Sequence, residues 1–288
     1  MTALPISANP GDDPKTLVST DWLAARLGNS DIFLLDASWY LPDAARVPRA
    51  EYEAAHIPGA RFFDIDEIAD TASPLPHMAP SPEKFTSRLR SMGLGDGQQV
   101  VIYDGAGIFS GARVWWTFRL MGWIDVAVLD GGLPKWRAEG REVNSEDPGR
   151  PSRHLRVAFQ PELVKSQGQV LQSQGVEIID ARGDLRFRGA AAEPRSGLRS
   201  GHIPGSRNVP FGSLLNPDGT MKSPAALRAA FAAAGVDVSK PAITTCGSGV
   251  TAAVLSLALE RIGHRDHALY DGSWAEWGAP DGPDVERG

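Results

Sequence analysis

His56-Ile57-Pro58-Gly59-Ala60 recurs later in the chain as His202-Ile203-Pro204-Gly205-Ser206. The two copies belong to a longer series of features that repeats in the same order. Each half has an apolar stretch ending in Asp, the His-Ile-Pro-Gly segment, a Ser-Pro pair, a second apolar stretch and an Asp-Gly pair: 33–36 and 178–180, 56–59 and 202–205, 81–82 and 223–224, 100–103 and 242–245, 130–131 and 271–272. A repeat of this length predicts two tandem domains of related structure.

The repeated segments alternate between predicted strands and helices. Proline at the first helical position behind a serine, as at Ser81-Pro82 and Ser223-Pro224, is a helix start signal. Alternating strands and helices predict an α/β fold in which each domain is a mostly parallel sheet flanked by helices. We predict domains at 1–147 and 148–288, joined through the stretch 143–160, which is rich in proline, glycine and polar residues.

Composition excludes several classes of protein. The 288 residues are 42% hydrophobic and 22% charged, as in a soluble globular protein, and the net charge of −6 argues against nucleic-acid binding. The sequence has no apolar run of roughly 18 residues that could span a membrane, and no signal-peptide pattern. We therefore expect a cytoplasmic protein, monomeric, with no nucleic-acid or membrane partner. One cysteine excludes an intrachain disulfide and a zinc site built on paired cysteines, and we expect no metal.

That single cysteine, Cys246, lies between a predicted strand and a predicted helix. The segment Ala242-Ile243-Thr244-Thr245 matches the apolar strand 100–103 of the first half, and apolar residues from Val250 to Ile262 follow a helical period. Gly247 and Gly249 allow a tight loop whose N–H groups turn inward, in front of a helix N-terminus. Such a loop binds anions and lowers the pKa of a thiol, so it predicts a nucleophilic cysteine that could carry a persulfide.

The first half has the same loop with a different first residue. Asp104 takes the place of the cysteine in Asp104-Gly105-Ala106-Gly107-Ile108-Phe109. This half cannot form a persulfide, so we expect it to be a non-catalytic domain that contributes residues across the interface. His56 and His202 occur in both halves, which indicates a structural role for them.

Taken together, these motifs resemble the tandem rhodanese family. The resemblance covers about 18–277, and the segments that carry it are the loop 246–252, both His-Ile-Pro-Gly copies, 62–66, 73–78 and 270–274. It implies an enzyme that moves sulfur from 3-mercaptopyruvate, through a persulfide on Cys246, to a thiol such as thioredoxin or to cyanide. Pyruvate is the other product, and no organic cofactor is implied.

The resemblance also implies roles for individual residues. Arg186 and Arg195 correspond to substrate arginines, and arginine forks suit the carboxylate and ketone of a 2-oxo acid. Gly247, Gly249, Val250 and Thr251 complete the predicted binding loop.

A proton relay beside Cys246 is implied as well. Its members are Ser248 in the loop, with His77 and Asp66 from the first domain. Histidine suits this role because its pKa lies near neutrality.

Four alternatives remain. Thiosulfate is the nearest rival donor, although users of thiosulfate carry basic residues after the cysteine and this chain has Gly247 and Ser248. A non-enzymatic persulfide carrier is another. A cysteine phosphatase needs an arginine six residues after the cysteine, where Ala252 stands. A dinucleotide site at Gly105-Ala106-Gly107 lacks its third glycine, since Ser110 occupies that position.

Overall fold

The computed structural model describes residues 11–149 and 151–288. It confirms two α/β domains, each built on a five-stranded parallel sheet. The first sheet has the order β1-β5-β4-β2-β3 and the second the order β6-β10-β9-β7-β8. The strands are β1 (Leu17–Val18), β2 (Ile32–Asp36), β3 (Arg61–Phe62), β4 (Gln99–Tyr103), β5 (Val126–Leu129), β6 (Val164–Lys165), β7 (Glu177–Asp180), β8 (Arg207–Asn208), β9 (Ala242–Thr245) and β10 (His267–Tyr270).

Helices lie between the strands in both domains. They are α1 (Thr20–Ala24), α2 (Pro48–Ala54), α3 (Ile65–Ile68), α4 (Pro82–Met92), α5 (Ser110–Leu120), α6 (Gly132–Ala138), α7 (Gln167–Leu171), α8 (Asp184–Phe187), α9 (Pro224–Ala233), α10 (Ala252–Arg261) and α11 (Ser273–Trp277). Ser81 and Ser223 cap α4 and α9 by accepting backbone N–H groups of Lys84 and Ala226, as the Ser-Pro signals predict. No helix of the described residues is long and apolar enough to cross a membrane.

Strand register places the loop of Cys246 at the carboxyl end of the second sheet. The last residue of β7, Asp180, pairs with Thr245, the last residue of β9. Cys246 follows directly, so it lies at the carboxyl end of the sheet beside the residues that follow β7. In α/β sheets, ligands bind at this carboxyl end of the strands.

The two domains join through the helices that follow the two loops. Nearly every residue of α5 and of α10 is buried, because each helix packs on its own sheet and on the other helix. A helix buried on all sides needs mostly apolar residues all round, and both helices have them apart from a few buried polar side chains such as Arg113 and Glu260. The packing of α5 on α10 thus places the first domain directly against the loop of Cys246.

The repeated Asp-Gly turns tie the domains together in a symmetrical way. Asp271 Oδ2 accepts the N–H of Ala79 at 2.7 Å, and Asp130 Oδ1 accepts the N–H of Met221 at 2.8 Å. Each aspartate thus binds the loop that precedes the Ser-Pro helix of the opposite domain. The symmetry is incomplete, because Asp271 also pairs with buried Arg113 at 2.7 Å, whereas the repeat places Leu255 at the corresponding position.

Asp130 therefore lacks the direct cationic partner of its twin. Burial raises its pKa to about 6, and the Met221 N–H only partly opposes this. The unfolded chain ionises this carboxyl near its usual pKa of 3.8, so the folded state loses stability as the pH rises from there to about 6. We expect Asp130→Asn to be more stable than the wild type at pH 8, by at most about 3 kcal/mol in the free energy of unfolding, and so to unfold at a higher temperature, with no difference near pH 4. A wild type at least as stable as this variant at pH 8 would contradict the assignment.

The segment between the domains packs on the first of them. Ala158 and Gln160 donate backbone N–H groups to Met121 and Leu120 at the end of α5. Each His-Ile-Pro-Gly copy pairs with the end of its own domain, His56 with Asn144 and His202 with Glu286. The domain limits at 147 and 148 stay a prediction, while the two histidines lie in structural pairings.

Candidate active site

Cys246 begins the loop between β9 and α10 and is buried, with 2% of its surface exposed. Its N–H donates to Ser273 Oγ at 3.2 Å, and its carbonyl accepts the N–H of Trp274 at 2.9 Å. The carbonyl of Gly247 accepts the N–H of Ala275 at 2.8 Å. The start of α11 therefore fixes the backbone on both sides of the thiol.

Both loop glycines allow a cation to approach closely. A Cβ on Gly247 would lie 3.0 Å from Arg186 Nη2, and one on Gly249 would lie 2.8 Å from Arg113 Nη1. Gly249 also has φ +77, a left-handed conformation that favours glycine. Side chains at these positions would displace the arginines from the loop.

The first domain shows what this kind of loop binds. The Asp104 carboxylate accepts N–H groups of Ala106, Phe109 and Gly111, each at 2.8 Å. Burial raises the pKa of Asp104, and the loop N–H groups oppose that effect. A loop of this shape therefore surrounds an anion attached to its first residue. The corresponding loop of the second domain has Cys246 at that position, where a thiolate or persulfide would carry the charge.

A small cavity of about 80 Å³ lies over Cys246. Drug-sized ligands occupy larger pockets, of roughly 300 Å³ or more, so this volume suits only a small molecule. Its lining contains most of the predicted binding residues: Arg186, Arg195, Cys246, Gly247, Ser248, Val250 and Thr251. Gly249 does not line it and acts through the turn. Trp39, Phe109 and Phe211 form an aromatic wall of the cavity that no motif in the sequence indicated.

His77 and Asp66, from the first domain, lie behind this cavity and do not line it: His77 contacts Arg195, and Asp66 contacts Trp39. His77 Nδ1 lies 2.6 Å from Asp66 Oδ1, which is short enough for an ion pair. The angle between the two groups does not meet that of a hydrogen bond. His77 Nε2 lies 3.1 Å from Arg195 Nη2, and a guanidinium can only donate, so Nε2 is the acceptor. Among the described residues, no hydrogen bond joins His77 to Ser248, so the Ser248 step of the relay stays a prediction.

The environment keeps Asp66 ionised. The neighbouring His77 holds the pKa of Asp66 below its usual value, and the Trp39 Nε1–H, which donates to Oδ2 at 3.0 Å, acts in the same direction. Burial lowers the pKa of Arg195, although arginine stays charged in proteins. The site thus holds a carboxylate, a histidine and an arginine in line beside the cysteine.

Known proteins match this chain over nearly its whole length. A family model described as the rhodanese-like domain matches residues 19–139 and again residues 164–280. The chain belongs to the rhodanese family. Residues 140–163, between the two matches, overlap the linker predicted from the sequence.

Relatives of this rhodanese are sulfurtransferases. Thiosulfate/3-mercaptopyruvate sulfurtransferase 1, mitochondrial, of Arabidopsis thaliana is 44% identical over 93% of this chain and 77% of its own length. Thiosulfate sulfurtransferase of Mus musculus is 46% identical over 91% of this chain and 92% of its own. The crystal structure of SseA from Escherichia coli, a 3-mercaptopyruvate sulfotransferase, has a TM-score of 0.82 and 39% identity, over 90% of this chain and 98% of SseA. This rhodanese is therefore an enzyme that transfers sulfur.

The rhodanese site contains two further residues that the sequence analysis did not select. Arg113, on α5, donates to the carbonyl of His77 at 2.5 Å and to that of Gly249 at 3.3 Å, and pairs with Asp271. Asp271 in turn binds the N–H of Ala79. This buried pair joins the segment of His77 to the loop of Cys246. Arg113 could have been noticed in the sequence as the one cation of α5 whose counterpart in α10 is apolar, namely Leu255.

The backbone of His77 is strained in a way that the repeat explains. His77 has φ +62, a left-handed conformation that costs a non-glycine residue about 1 kcal/mol. Gly219, with φ +79, stands at the matching place in the loop before Met221. The turn that lies against the Asp104 loop therefore has glycine, which adopts this conformation without strain. The matching turn beside the Cys246 loop has His77, whose left-handed backbone conformation costs energy.

Proposed function

We propose that this rhodanese takes sulfur from 3-mercaptopyruvate onto Cys246 as a persulfide and then passes it to a thiol acceptor. The observation that supports this most strongly is the small cavity in which Arg186 and Arg195 stand beside Cys246. Two arginines suit one carboxylate and one ketone oxygen. Gly247 and Ser248 add no cation for a second anionic group.

In the first step, the Cys246 thiolate attacks the sulfur of the donor. The carbon–sulfur bond breaks, and its electron pair moves onto the carbon to give the enolate of pyruvate. The enolate carbon takes up the proton that the donor thiol loses. The products are pyruvate and the Cys246 persulfide anion, so atoms and charge balance. Arginine charge stabilises the enolate as it forms.

The proton must move from sulfur to carbon within this cavity. His77 would accept this proton at Nε2, the nitrogen that now accepts from Arg195, and return it once Arg195 has turned to the donor. Asp66, kept ionised, would stabilise the imidazolium that forms between the two transfers. Ser248 lines the cavity beside Cys246 and would bring the donor thiol within reach of His77 after a small movement.

In the second step, a thiolate acceptor attacks the outer sulfur. The sulfur–sulfur bond breaks, Cys246 leaves as the thiolate and the acceptor becomes a persulfide. We propose a protein thiol such as thioredoxin, or a small thiol, as the acceptor, with cyanide as an assay substitute. No cofactor takes part in either step.

A comparison of donors tests the proposal. We expect kcat/KM for 3-mercaptopyruvate to exceed that for thiosulfate by at least about tenfold, because the missing cation for the second anionic group is worth about 1.5–3 kcal/mol. Thiosulfate is the second candidate, since the relative of 46% identity is named for it. A higher kcat/KM for thiosulfate would select that donor, and single-turnover release of neither product would indicate a non-enzymatic carrier.

We also propose a cytoplasmic monomer. The relative from Arabidopsis thaliana that is described as mitochondrial makes the mitochondrion the alternative location. Localisation of a tagged protein and its mass in solution test the two parts separately.

A further inference from the structure

Arg186 is not free in the cavity, because a buried carboxylate holds one edge of it. Glu193 Oε2 accepts from Arg186 Nη2 at 2.5 Å, and its other oxygen lies 3.4 Å from Nε. Only 2% of the Glu193 side chain is exposed, against 25% of that of Arg186. The carboxylate therefore lies behind the arginine, on the side away from solvent.

Glu193 itself is fixed by a second arginine. Arg182 Nη1 donates to Glu193 Oε1 at 2.8 Å, while Arg182 Nη2 donates to Asp180 at 2.7 Å. Arg182 also stacks on Trp274 at 4.2 Å. Burial alone would lower the pKa of Arg182, but the two carboxylates outweigh it and raise that pKa. Negative and positive groups thus alternate from Asp180 at the end of β7 to Arg186, and both Arg182 and Arg186 line the cavity.

We propose that Glu193 is a positioning residue that sets the affinity of this site for a 2-oxo acid through Arg186. A guanidinium has five N–H groups in a rigid plane. Glu193 engages the Nε and Nη2 edge, which leaves Nη1 and the outer N–H of Nη2 for the donor. The inference rests on the proposed function, in which Arg186 binds the 2-oxo acid.

The position of Glu193 in the chain also sets the spacing of the two substrate arginines. Pro194 alone separates it from Arg195, and proline fixes the backbone between them. Arg186 is bound to Glu193 and Arg195 is bound to His77, so neither head group needs to be ordered when the donor arrives. A preorganised pair of this kind binds its ligand at a lower entropic cost.

Glu193→Gln tests the proposal because it keeps the shape and removes the charge. We expect KM for 3-mercaptopyruvate to rise by about tenfold or more, with kcat within about threefold, since Cys246 and His77 are untouched. Asp184→Asn is the matched control. Asp184 pairs with Arg188 at 2.8 Å on the exposed side of the same region, and its loss should leave both constants unchanged.

Two further measurements exclude a merely structural effect. In the background of Arg186→Met, Glu193→Gln should raise KM no further, because its effect passes through Arg186. KM effects that multiply in the double variant would overturn the proposal, as would a folded Glu193→Gln variant with the KM of the wild type. If Glu193→Gln does not fold, Glu193→Asp keeps the charge one carbon further back, and we expect a smaller rise of KM in the same direction. An unchanged KM in that variant would overturn the proposal too.

Binding of pyruvate separates this inference from the proposed function. Pyruvate has the same carboxylate and ketone and needs no sulfur chemistry. Its dissociation constant, measured by calorimetry, should rise by about tenfold in Glu193→Gln and stay unchanged in Asp184→Asn. If the wild type binds pyruvate but does not turn over 3-mercaptopyruvate, the proposed donor is wrong. The role of Glu193 is then judged from the pyruvate dissociation constants of the wild type and Glu193→Gln. Equal binding of pyruvate by wild type and Glu193→Gln would refute that role.

Discussion

Cys246→Ser is expected to abolish sulfur transfer, lowering kcat by at least about a thousandfold. The hydroxyl has nearly the shape of the thiol, but it is not ionised near neutral pH and cannot hold a second sulfur atom. Since Cys246 is the only cysteine, no other side chain can form the persulfide instead. Pyruvate release from 3-mercaptopyruvate measures the first step.

Intact mass measures the persulfide directly. After incubation with the donor, the wild type should gain the mass of one sulfur atom and lose it again with cyanide, while Cys246→Ser should show neither change. Ser248→Ala is the matched control, because it alters the neighbouring residue of the same loop and keeps the nucleophile, so that the persulfide still forms, though more slowly. Pyruvate release by Cys246→Ser at a rate near that of the wild type would refute the mechanism.

Asp271→Asn should have the largest effect on stability, together with a large loss of turnover. It leaves Arg113, which is 2% exposed, as a buried charge without its counter-ion. Breaking such a pair costs about 3–5 kcal/mol, and the carbonyls of His77 and Gly249, which also bind Arg113, place the cost at the lower end. Urea unfolding measures the loss of stability. We expect kcat to fall as well, because His77 is no longer held beside the loop of Cys246.

Asp130→Asn is the internal control for this prediction. The two aspartates occupy matching turns and bind matching N–H groups, but only Asp271 has an arginine beside it. The same substitution should therefore destabilise the protein at position 271 and stabilise it at position 130 at pH 8. An Asp271→Asn variant as stable as the wild type would show that the pair of Arg113 and Asp271 is not what joins the domains, whereas a destabilised Asp130→Asn variant would contradict only the assignment made for Asp130.

Much of the fold could be read from local patterns. The strand β9 spans 242–245 in both the prediction and the structure, and α4 and α9 begin at the predicted prolines. These features depend on residues adjacent in the chain, such as a serine that caps its own helix. The anion-binding loop could be predicted for the same reason, since two glycines and a following helix suffice to form it.

The sequence by itself therefore determined the repeat, the two parallel sheets and the loop on which Cys246 lies. Tertiary structure alone decided which side chains meet above that loop. Trp39, Arg113 and Asp271 come from three distant segments, and their contacts depend on the packing of α5 against α10. Patterns among residues that are adjacent in the chain cannot show such contacts. The partners of a side chain across an interface depend on the position and angle of whole helices and strands. The same holds for Arg186, whose partner Glu193 is close in sequence but buried only by the fold around it.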